Sequence, residues 1–153
     1  MKKINYQNYK RPSDFMKFEQ GENRIGVVSE GVIAMQHGLK TANRYVNLGF
    51  CTEKPDCPHC KKGNEPKRVW KWIVFDYANR DVKLLDAGPM LGNQLCEFGD
   101  DPQKFDVIVT RSGTGLDTKY KVTKAVKSES FTDDILVSIK NKKARLIDKY
   151  FKK

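Results

Sequence analysis

The chain has 153 residues and a formal net charge of +10 at pH 7, with 29 Lys and Arg against 19 Asp and Glu. This length suffices for one domain with a hydrophobic core of its own. No apolar run approaches the roughly 20 residues of a membrane-spanning helix, and the Met-Lys-Lys start is followed by polar residues rather than by a signal-peptide run. The sequence therefore predicts a cytoplasmic protein without membrane association. In the reducing cytoplasm, clustered cysteines are more often metal ligands than disulfides.

Segments rich in β-branched and aromatic residues recur between turn signals along the chain, which predicts a mainly β domain. Residues 1–20 are predicted to form an irregular basic segment. The predicted strands span residues 22–28, 31–37, 44–50, 68–76, 81–85, 104–110 and 118–126. The first two are interpreted as one long strand that bends or bulges at residues 29–31, where Gly31 allows a sharp turn.

Two helices are predicted among these strands. A short helix over residues 90–98 buries Leu91, Leu95 and Cys96 at helical spacing. A C-terminal helix is predicted to begin after an N-cap at Ser130. One of its faces is an apolar stripe, and the opposite face is basic. That stripe consists of Ile135, Ile139, Leu146 and Tyr150.

The order of the elements is three long strands, a short helix and two more strands. That order is the one a five-stranded OB-fold Greek-key barrel requires, with its helix between the third and fourth strands. We therefore predict an OB-fold domain over residues 21–128, with a metal-binding insertion at about residues 37–66. A basic amphipathic helix follows over residues 129–153.

A candidate metal site lies in the insertion. His37 precedes Cys51, Cys57 and Cys60, and the last two form a Cys-x-x-Cys pair that can turn both thiolates onto one ion. Four protein ligands would fill a tetrahedral zinc site, so the zinc is predicted to be structural. His59 is the competing nitrogen ligand, and Cys96 is a further thiol that burial explains better.

The positive charge is concentrated at the two ends of the chain. Residues 21–110 carry twelve basic and twelve acidic side chains, residues 1–20 carry five against two, and residues 111–153 carry twelve against five. Each Lys or Arg placed against a phosphate releases a condensed counterion, so this distribution suits a polyanion. The alternative is ordinary solubilising charge.

Aromatic residues interleaved with basic ones are the candidate contacts for nucleic acid, because nucleobases stack on flat rings while cations bind the backbone. Trp70 and Trp72 share one face of a predicted strand. The opposite face is also mostly apolar, so the two tryptophans are either a base-stacking platform or part of the core. The full candidate set is Arg44, Tyr45, Phe50, Lys67, Arg68, Trp70, Lys71, Trp72, Tyr77, Arg111, Lys119, Tyr120 and Lys121.

The segment from His37 through Lys83, with Gly113-Thr114-Gly115 and the Lys119-Tyr120-Lys121-Val122 strand, carries a family resemblance. It resembles the single-stranded DNA-binding proteins of tailed phages, the helix-destabilising type with an OB barrel and a zinc subdomain. The resemblance implies a protein that coats single-stranded DNA in replication, recombination and repair, in the cytoplasm of a host cell. It also implies that one His and three Cys hold zinc, at positions that correspond here to His37, Cys51, Cys57 and Cys60.

The sequence thus predicts a sequence-nonspecific single-stranded DNA-binding protein and no enzyme. Replication and recombination proteins are candidate partners, and the chain is expected to be a monomer or to associate weakly with itself along DNA. Two alternatives stay open: an RNA-binding OB-fold module, and a metal-dependent nuclease, which would need an open coordination position.

Overall fold

The computed structural model describes residues 1–9, 13–42, 45–127 and 132–151, with only the backbone at Tyr45. In these ranges the protein is mainly β, as predicted. The strands are β1 Gly21–Val27, β2 Val32–Lys40, β3 Tyr45–Phe50, β4 Lys67–Asp76, β5 Asp81–Ala87, β6 Asp106–Ser112 and β7 Lys119–Ala125. The helices are α1 Pro58–Lys61, α2 Pro89–Cys96 and α3 Asp133–Tyr150. None of these helices is both long and apolar enough to span a membrane.

All pairings between these strands are antiparallel. The sheet order is β3-β2-β4-β1-β6-β7, and β5 pairs with β4 along the edge opposite β1 and β2. β1 and β2 therefore lie end to end against β4 and act as one long bent strand. The break between them is bridged by two bonds, from the Val28 amide to the Ile73 carbonyl (2.9 Å) and from the Ile73 amide to the Ser29 hydroxyl (2.8 Å).

The sheet differs from the predicted five-stranded barrel in its strand count and in being open. It has seven strands, because the long first strand is divided and β3 pairs with β2, and no ladder joins β5 to β7 in the described residues. Other groups occupy the two facing edges. Leu84 of β5 exchanges two 2.7 Å backbone bonds with Asp14 and Met16, and the Gln94 amide of α2 bonds the Tyr120 carbonyl (2.8 Å) and Val122 amide (3.0 Å) of β7.

Two hydrophobic clusters lie on opposite faces of β4 and β5. The first fills the concave interior of the sheet and includes Trp70, Trp72, Val74 and Leu85. The second lies between the outer face of the same two strands and α3, and includes Ile73, Phe75, Val82, Leu84, Ile139 and Leu146. Both faces of β4 are therefore buried, which is why apolar residues occur at consecutive positions of that strand.

Helix α3 packs on the sheet through the predicted stripe. Ile139 and Leu146 are buried, and Ile135 and Tyr150 pack against them. Its cap is Thr132, two residues beyond the predicted Ser130, which lies outside the described residues. Ion pairs of 3.2 and 3.4 Å from Arg145 and Lys149 to Asp14 join the helix to the N-terminal segment. These partners and the Tyr150 hydroxyl hold the pKa of Asp14 below its usual value despite the opposing effect of burial.

Gly92 allows α2 to pack tightly on the interior cluster. A Cβ at this position would lie 2.5 Å from Cδ2 of Trp70, closer than van der Waals contact permits. We expect Gly92→Ala to lower the free energy of unfolding by about 1–3 kcal/mol, because the crowded ring has no space to move into. Urea denaturation measures this. Asn93→Ala, at an exposed position of the same helix, should leave stability unchanged to within about 0.5 kcal/mol, and equal losses in the two variants would contradict the packing argument.

Candidate functional site

Four side chains from β2, from the residue after β3, and from α1 with its cap meet beyond the end of β3. His37 comes from β2 at a register shift in its pairing with β3, and Cys51 directly follows β3, where its amide donates to the Met35 carbonyl (2.9 Å). Cys57 is the N-cap of α1 and Cys60 lies within that helix. Pro58 begins the helix with the backbone angle that a helical turn requires, so both thiols of the Cys-x-x-Cys pair face the same way.

The distances among these four groups fit a tetrahedral metal site. The Cys51 Sγ atom lies 3.8 Å from that of Cys57 and 3.6 Å from that of Cys60. The His37 Nε2 atom lies 3.4 and 3.5 Å from the Cys57 and Cys60 sulfurs. Metal–sulfur bonds of about 2.3 Å and metal–nitrogen bonds of about 2.0 Å give tetrahedron edges of roughly 3.8 and 3.5 Å. All four ligand atoms lie within 4.8 Å of one another, so the predicted set is brought together.

His37 is oriented by a second residue, Asn64. Its Nδ1 lies 2.7 Å from the Asn64 Oδ1 atom, and the Asn64 amide in turn donates to the Gly38 carbonyl (2.8 Å). With its Nδ1 hydrogen donated to Asn64, the imidazole keeps the Nε2 lone pair for a metal ion. The competing residues lie outside the cluster: the His59 ring centroid is 5.2 Å from that of His37, and Cys96 is exposed on α2 rather than buried as predicted.

The thiols differ in their readiness to ionise. Backbone amides of Cys60 and Thr52 lower the pKa of Cys57 to about 5. Partial removal from water and the neighbouring sulfurs of Cys51 and Cys57 raise the pKa of Cys60 to about 12. Ionisation of Cys60 beside these sulfurs is unfavourable unless a cation compensates the charge, and a bound metal ion supplies that compensation.

The tryptophans occupy the core rather than an exposed platform, which corrects the base-stacking interpretation. Trp70 is 6% exposed and Trp72 is 4% exposed. Their rings pack closely against glycines: Cβ atoms added at Gly92 and Gly31 would lie 2.5 and 2.3 Å from the Trp70 and Trp72 rings. Stacking on their faces would require the interior cluster to open.

Two further candidate contacts are also engaged inside the protein. Lys71 is buried, with its ammonium 3.1 Å from Asp86 and 5.7 Å from the ring centroid of half-buried Phe50. Tyr77 donates a 3.0 Å hydrogen bond to buried Asp106. The Lys71 charge is thus compensated internally, and the Tyr77 ring is held under α3.

Other candidates line two clefts, together called the trough, that share the lining residues Asp86, Ala87, Gly88 and Pro89. The Lys67 cleft, of about 480 Å³, adds Gln36, Lys67, Arg68 and Val69. The Arg111 cleft, of about 560 Å³, adds Met16, Lys17, Phe18, Leu85, Met90, Leu91, Arg111, Thr118 and Tyr120. Four of the predicted contacts are therefore trough residues: Lys67, Arg68, Arg111 and Tyr120.

The remaining candidates lie elsewhere. Lys119 and Lys121 are exposed on β7. Arg44 and the side chain of Tyr45 lie outside the described residues.

The trough begins beside the metal cluster. Gln36 precedes the ligand His37, and Lys67 begins β4 three residues after Asn64. The one carboxylate that lines the two clefts belongs to Asp86, which the ammonium of Lys71 compensates. The trough is therefore a predominantly cationic surface, positioned at one end by the metal-binding loop.

Sequence reasoning missed several residues of this region. Asn64 orients His37, and Lys17 and Phe18 line the Arg111 cleft. Asn64 has no motif that distinguishes it from an ordinary loop asparagine. The other two belong to a segment predicted to be irregular, and only its backbone pairing with β5 places them in the cleft.

Comparison with known proteins gives limited information. No protein-family model and no solved structure matches the chain. It is similar to the large ribosomal subunit protein uL3 of Acholeplasma laidlawii (strain PG-8A), at 31% identity over 101 residues, which cover 60% of this chain. The match spans 46% of that protein's length, less than half of it.

Proposed function

We propose that this protein binds single-stranded DNA without sequence preference. The observation that carries the proposal is the trough, which contains Lys67, Arg68, Arg111 and Lys17 and in which Lys71 compensates the carboxylate. A row of cations along an open groove tracks a phosphate backbone irrespective of sequence. Because the two clefts share four lining residues, a strand that occupied both would be longer than a single small ligand.

The order of the strands supports an OB-type barrel as the framework. With β1 and β2 taken as one strand, the chain runs through a bent strand, β4, β5, the helix α2, β6 and β7, and the bent strand pairs with both β4 and β6. This order of elements supports the proposal of an OB fold, a fold that binds oligonucleotides. The N-terminal segment and Gln94 take the place of the ladder that would close the barrel.

Zinc is the ion that best suits the metal cluster, because three thiolates and one imidazole in tetrahedral array are its usual structural donors. All four coordination positions would be filled by the protein, so we assign the metal a structural role and no catalysis. By holding Cys51, Cys57 and Cys60 together, the ion would fix the loop that leads into Lys67 and Arg68.

Binding in this proposal starts with electrostatic capture of the phosphates and continues with stacking of a few bases. Tyr120 is the half-buried ring that lines the trough and is available for stacking, since both tryptophans are in the core. Electrostatics then contribute the larger share of the affinity, and we expect strong salt dependence. In a cell such a protein would protect unpaired strands in the cytoplasm during replication, recombination and repair, in contact with the proteins of those processes, as a monomer or weakly self-associated.

Fluorescence anisotropy with labelled oligo-dT of about 30 nucleotides tests the proposal, against a duplex of equal length at low salt. We expect oligo-dT to bind at least about tenfold more tightly than the duplex, because only a single strand can place bases against rings. Equal affinity for the two, or no binding of oligo-dT, would contradict it.

A second probe distinguishes DNA binding from the RNA-binding alternative. The partial similarity to a ribosomal protein is a reason to test that alternative. Oligo-U of the same length differs in its 2′-hydroxyls, so tighter binding of oligo-U would favour RNA. Incubation of labelled oligo-dT with the protein and Mg²⁺ or Zn²⁺ should leave it intact, and fragments would indicate the nuclease instead.

A further inference from the structure

The Arg111 cleft contains a buried cationic hydrogen-bond donor that has no acceptor. The Nε atom of Arg111 is removed from solvent and has no partner among the described residues, whereas its Nη1 donates to the Phe18 carbonyl (2.7 Å). An arginine stays charged at every physiological pH, and a buried N–H without an acceptor is unfavourable. The position thus favours an acceptor that the protein itself does not provide.

Three neighbouring features select an anion for that acceptor. No carboxylate forms an ion pair with Arg111 in the described residues, and Lys17 lines the same cleft. The N-terminus of α2, an eight-residue helix, also opens there through Gly88, Pro89 and Met90. Gly88 is its N-cap and has no side chain to accept from the first turn, and Pro89 has no N–H, so the Met90 amide and the helix dipole are what favour a negative group there.

An aromatic surface adjoins the same point. Arg111 and Tyr120 are directly opposite partners in the pairing of β6 with β7, so their side chains share one face of the sheet. Tyr120 is half-buried and packs edge-on against Phe18, with ring centroids 5.7 Å apart. Met90, half exposed, lines the same cleft, and its Sδ atom accepts a 3.4 Å hydrogen bond from the Tyr120 amide. A flat apolar group attached to the anion would therefore find a ring and a thioether beside it.

We propose that the Arg111 cleft is a nucleotide-binding subsite, in which the Arg111 guanidinium and the first turn of α2 bind one phosphate and Tyr120 contacts the attached base. The proposal rests on the proposed function, and it gives the bound strand one fixed point along the trough. The cleft volume of about 560 Å³ lies in the range of small-ligand sites, which suits one nucleotide and not a longer unit.

NMR titration of ¹⁵N-labelled protein with dTMP, thymidine and inorganic phosphate, each added separately, tests the subsite. We expect dTMP to shift the Arg111 Nε–H signal and to bind at least about tenfold more tightly than thymidine, because a charge-assisted hydrogen bond is present only with the phosphate. Inorganic phosphate should move the same signal with lower affinity, since it lacks the base. An unmoved Nε–H signal with dTMP, or equal affinities for dTMP and thymidine, would overturn the proposal.

Variants separate the role of Arg111 from general charge. Arg111→Gln should weaken dTMP binding by about tenfold or more, and Arg111→Lys should restore only part of it because lysine has no fork of donors. Lys140→Gln removes the same charge from an exposed position of α3 and should leave dTMP affinity unchanged. A loss as large in Lys140→Gln as in Arg111→Gln would refute the subsite, and the wild-type Nε–H signal still decides if Arg111→Gln fails to fold.

Measuring oligo-dT binding by the wild-type protein distinguishes failure of the Arg111 subsite from failure of the single-stranded DNA proposal. If oligo-dT binds and dTMP leaves the Nε–H signal unchanged, the subsite is wrong and the single-stranded DNA proposal stands. If dTMP binds at Arg111 and oligo-dT does not bind, the cleft is a mononucleotide site and the broader proposal is wrong.

Discussion

Replacement of Cys57 by Ser is expected to abolish stoichiometric zinc binding. Cys57 is fully buried, its sulfur lies 3.8 Å from that of Cys51 and 3.4 Å from the His37 nitrogen, and backbone amides lower its pKa to about 5. A thiol with a lowered pKa is readily available as the thiolate that binds a metal ion. Loss of a residue that merely orients a ligand costs about 10–100-fold in affinity, so loss of this ligand should cost more than about 100-fold.

Metal analysis of the purified protein measures the effect. We expect one zinc per wild-type chain and less than about a tenth of that in Cys57→Ser. The matched control is Cys96→Ser, because Cys96 is an exposed thiol on α2 outside the cluster. It should retain the full zinc content. Full zinc in Cys57→Ser, or equal losses in the two variants, would show that the cluster does not hold the metal.

The structural role of the ion gives this variant a second readout. Cys57 is the N-cap of α1 and Cys60 lies within it, and this helix of four residues has no buried side chain and little of its own to stabilise it. Without the metal, amides between residues 51 and 64 should exchange with solvent much faster, while those of β4 and β6 should keep their protection because the interior cluster is separate. Asn64→Ala should give an intermediate result, with zinc affinity lowered by about 10–100-fold.

The metal ligands could be predicted from the sequence because their signal is local. Cys57 and Cys60 lie three positions apart, and Cys51 lies six before Cys57, so their proximity hardly depends on the fold. His37 lies further from the cysteines in the sequence, and its position beside them depends on the pairing of β2 with β3. The second helix and the apolar stripe of α3 were likewise predictable, since helical periodicity is short-range.

The sequence could not show that both faces of β4 are buried, for a physical reason. Alternation identifies the buried side of a strand only if the other side is solvated, and α3 covers the second side at Ile73 and Phe75. The open edge of the sheet could not be predicted from the sequence either. Gln94 replaces a strand partner for β7 through a contact 26 residues away, and nothing in its local sequence distinguishes it from an ordinary helical glutamine.

Neutralising the Lys67 cleft should produce the largest effect on DNA binding that leaves the fold intact. Lys67 and Arg68 are exposed at the start of β4, at the end of the trough nearest the metal cluster. The guanidinium carbon of Arg68 lies 5.9 Å from the Trp70 ring centroid, so its charge is held over that ring while the residue lines the Lys67 cleft. We expect the double variant Lys67→Gln/Arg68→Gln to bind oligo-dT at least about tenfold more weakly at low salt.

The salt dependence identifies what is lost. If each side chain neutralises one phosphate, the slope of log affinity against log salt should fall by about 0.7 for each, or about 1.4 for the pair. The two curves should therefore converge as the salt concentration rises, because the contribution that distinguishes them is counterion release. A parallel displacement of the curves would instead mean that the substitutions act on packing or stacking.

The control places the same loss of charge on α3. Lys140→Gln/Lys143→Gln also lowers the formal net charge by two from +10, on a helix face that lies away from both clefts. It should change the affinity for oligo-dT by less than about threefold, since long-range attraction is screened beyond a Debye length of about 10 Å. If this variant loses as much affinity and as much slope as Lys67→Gln/Arg68→Gln, net charge rather than the trough governs binding. If it loses more, the strand binds along the basic face of α3, and the trough has another role.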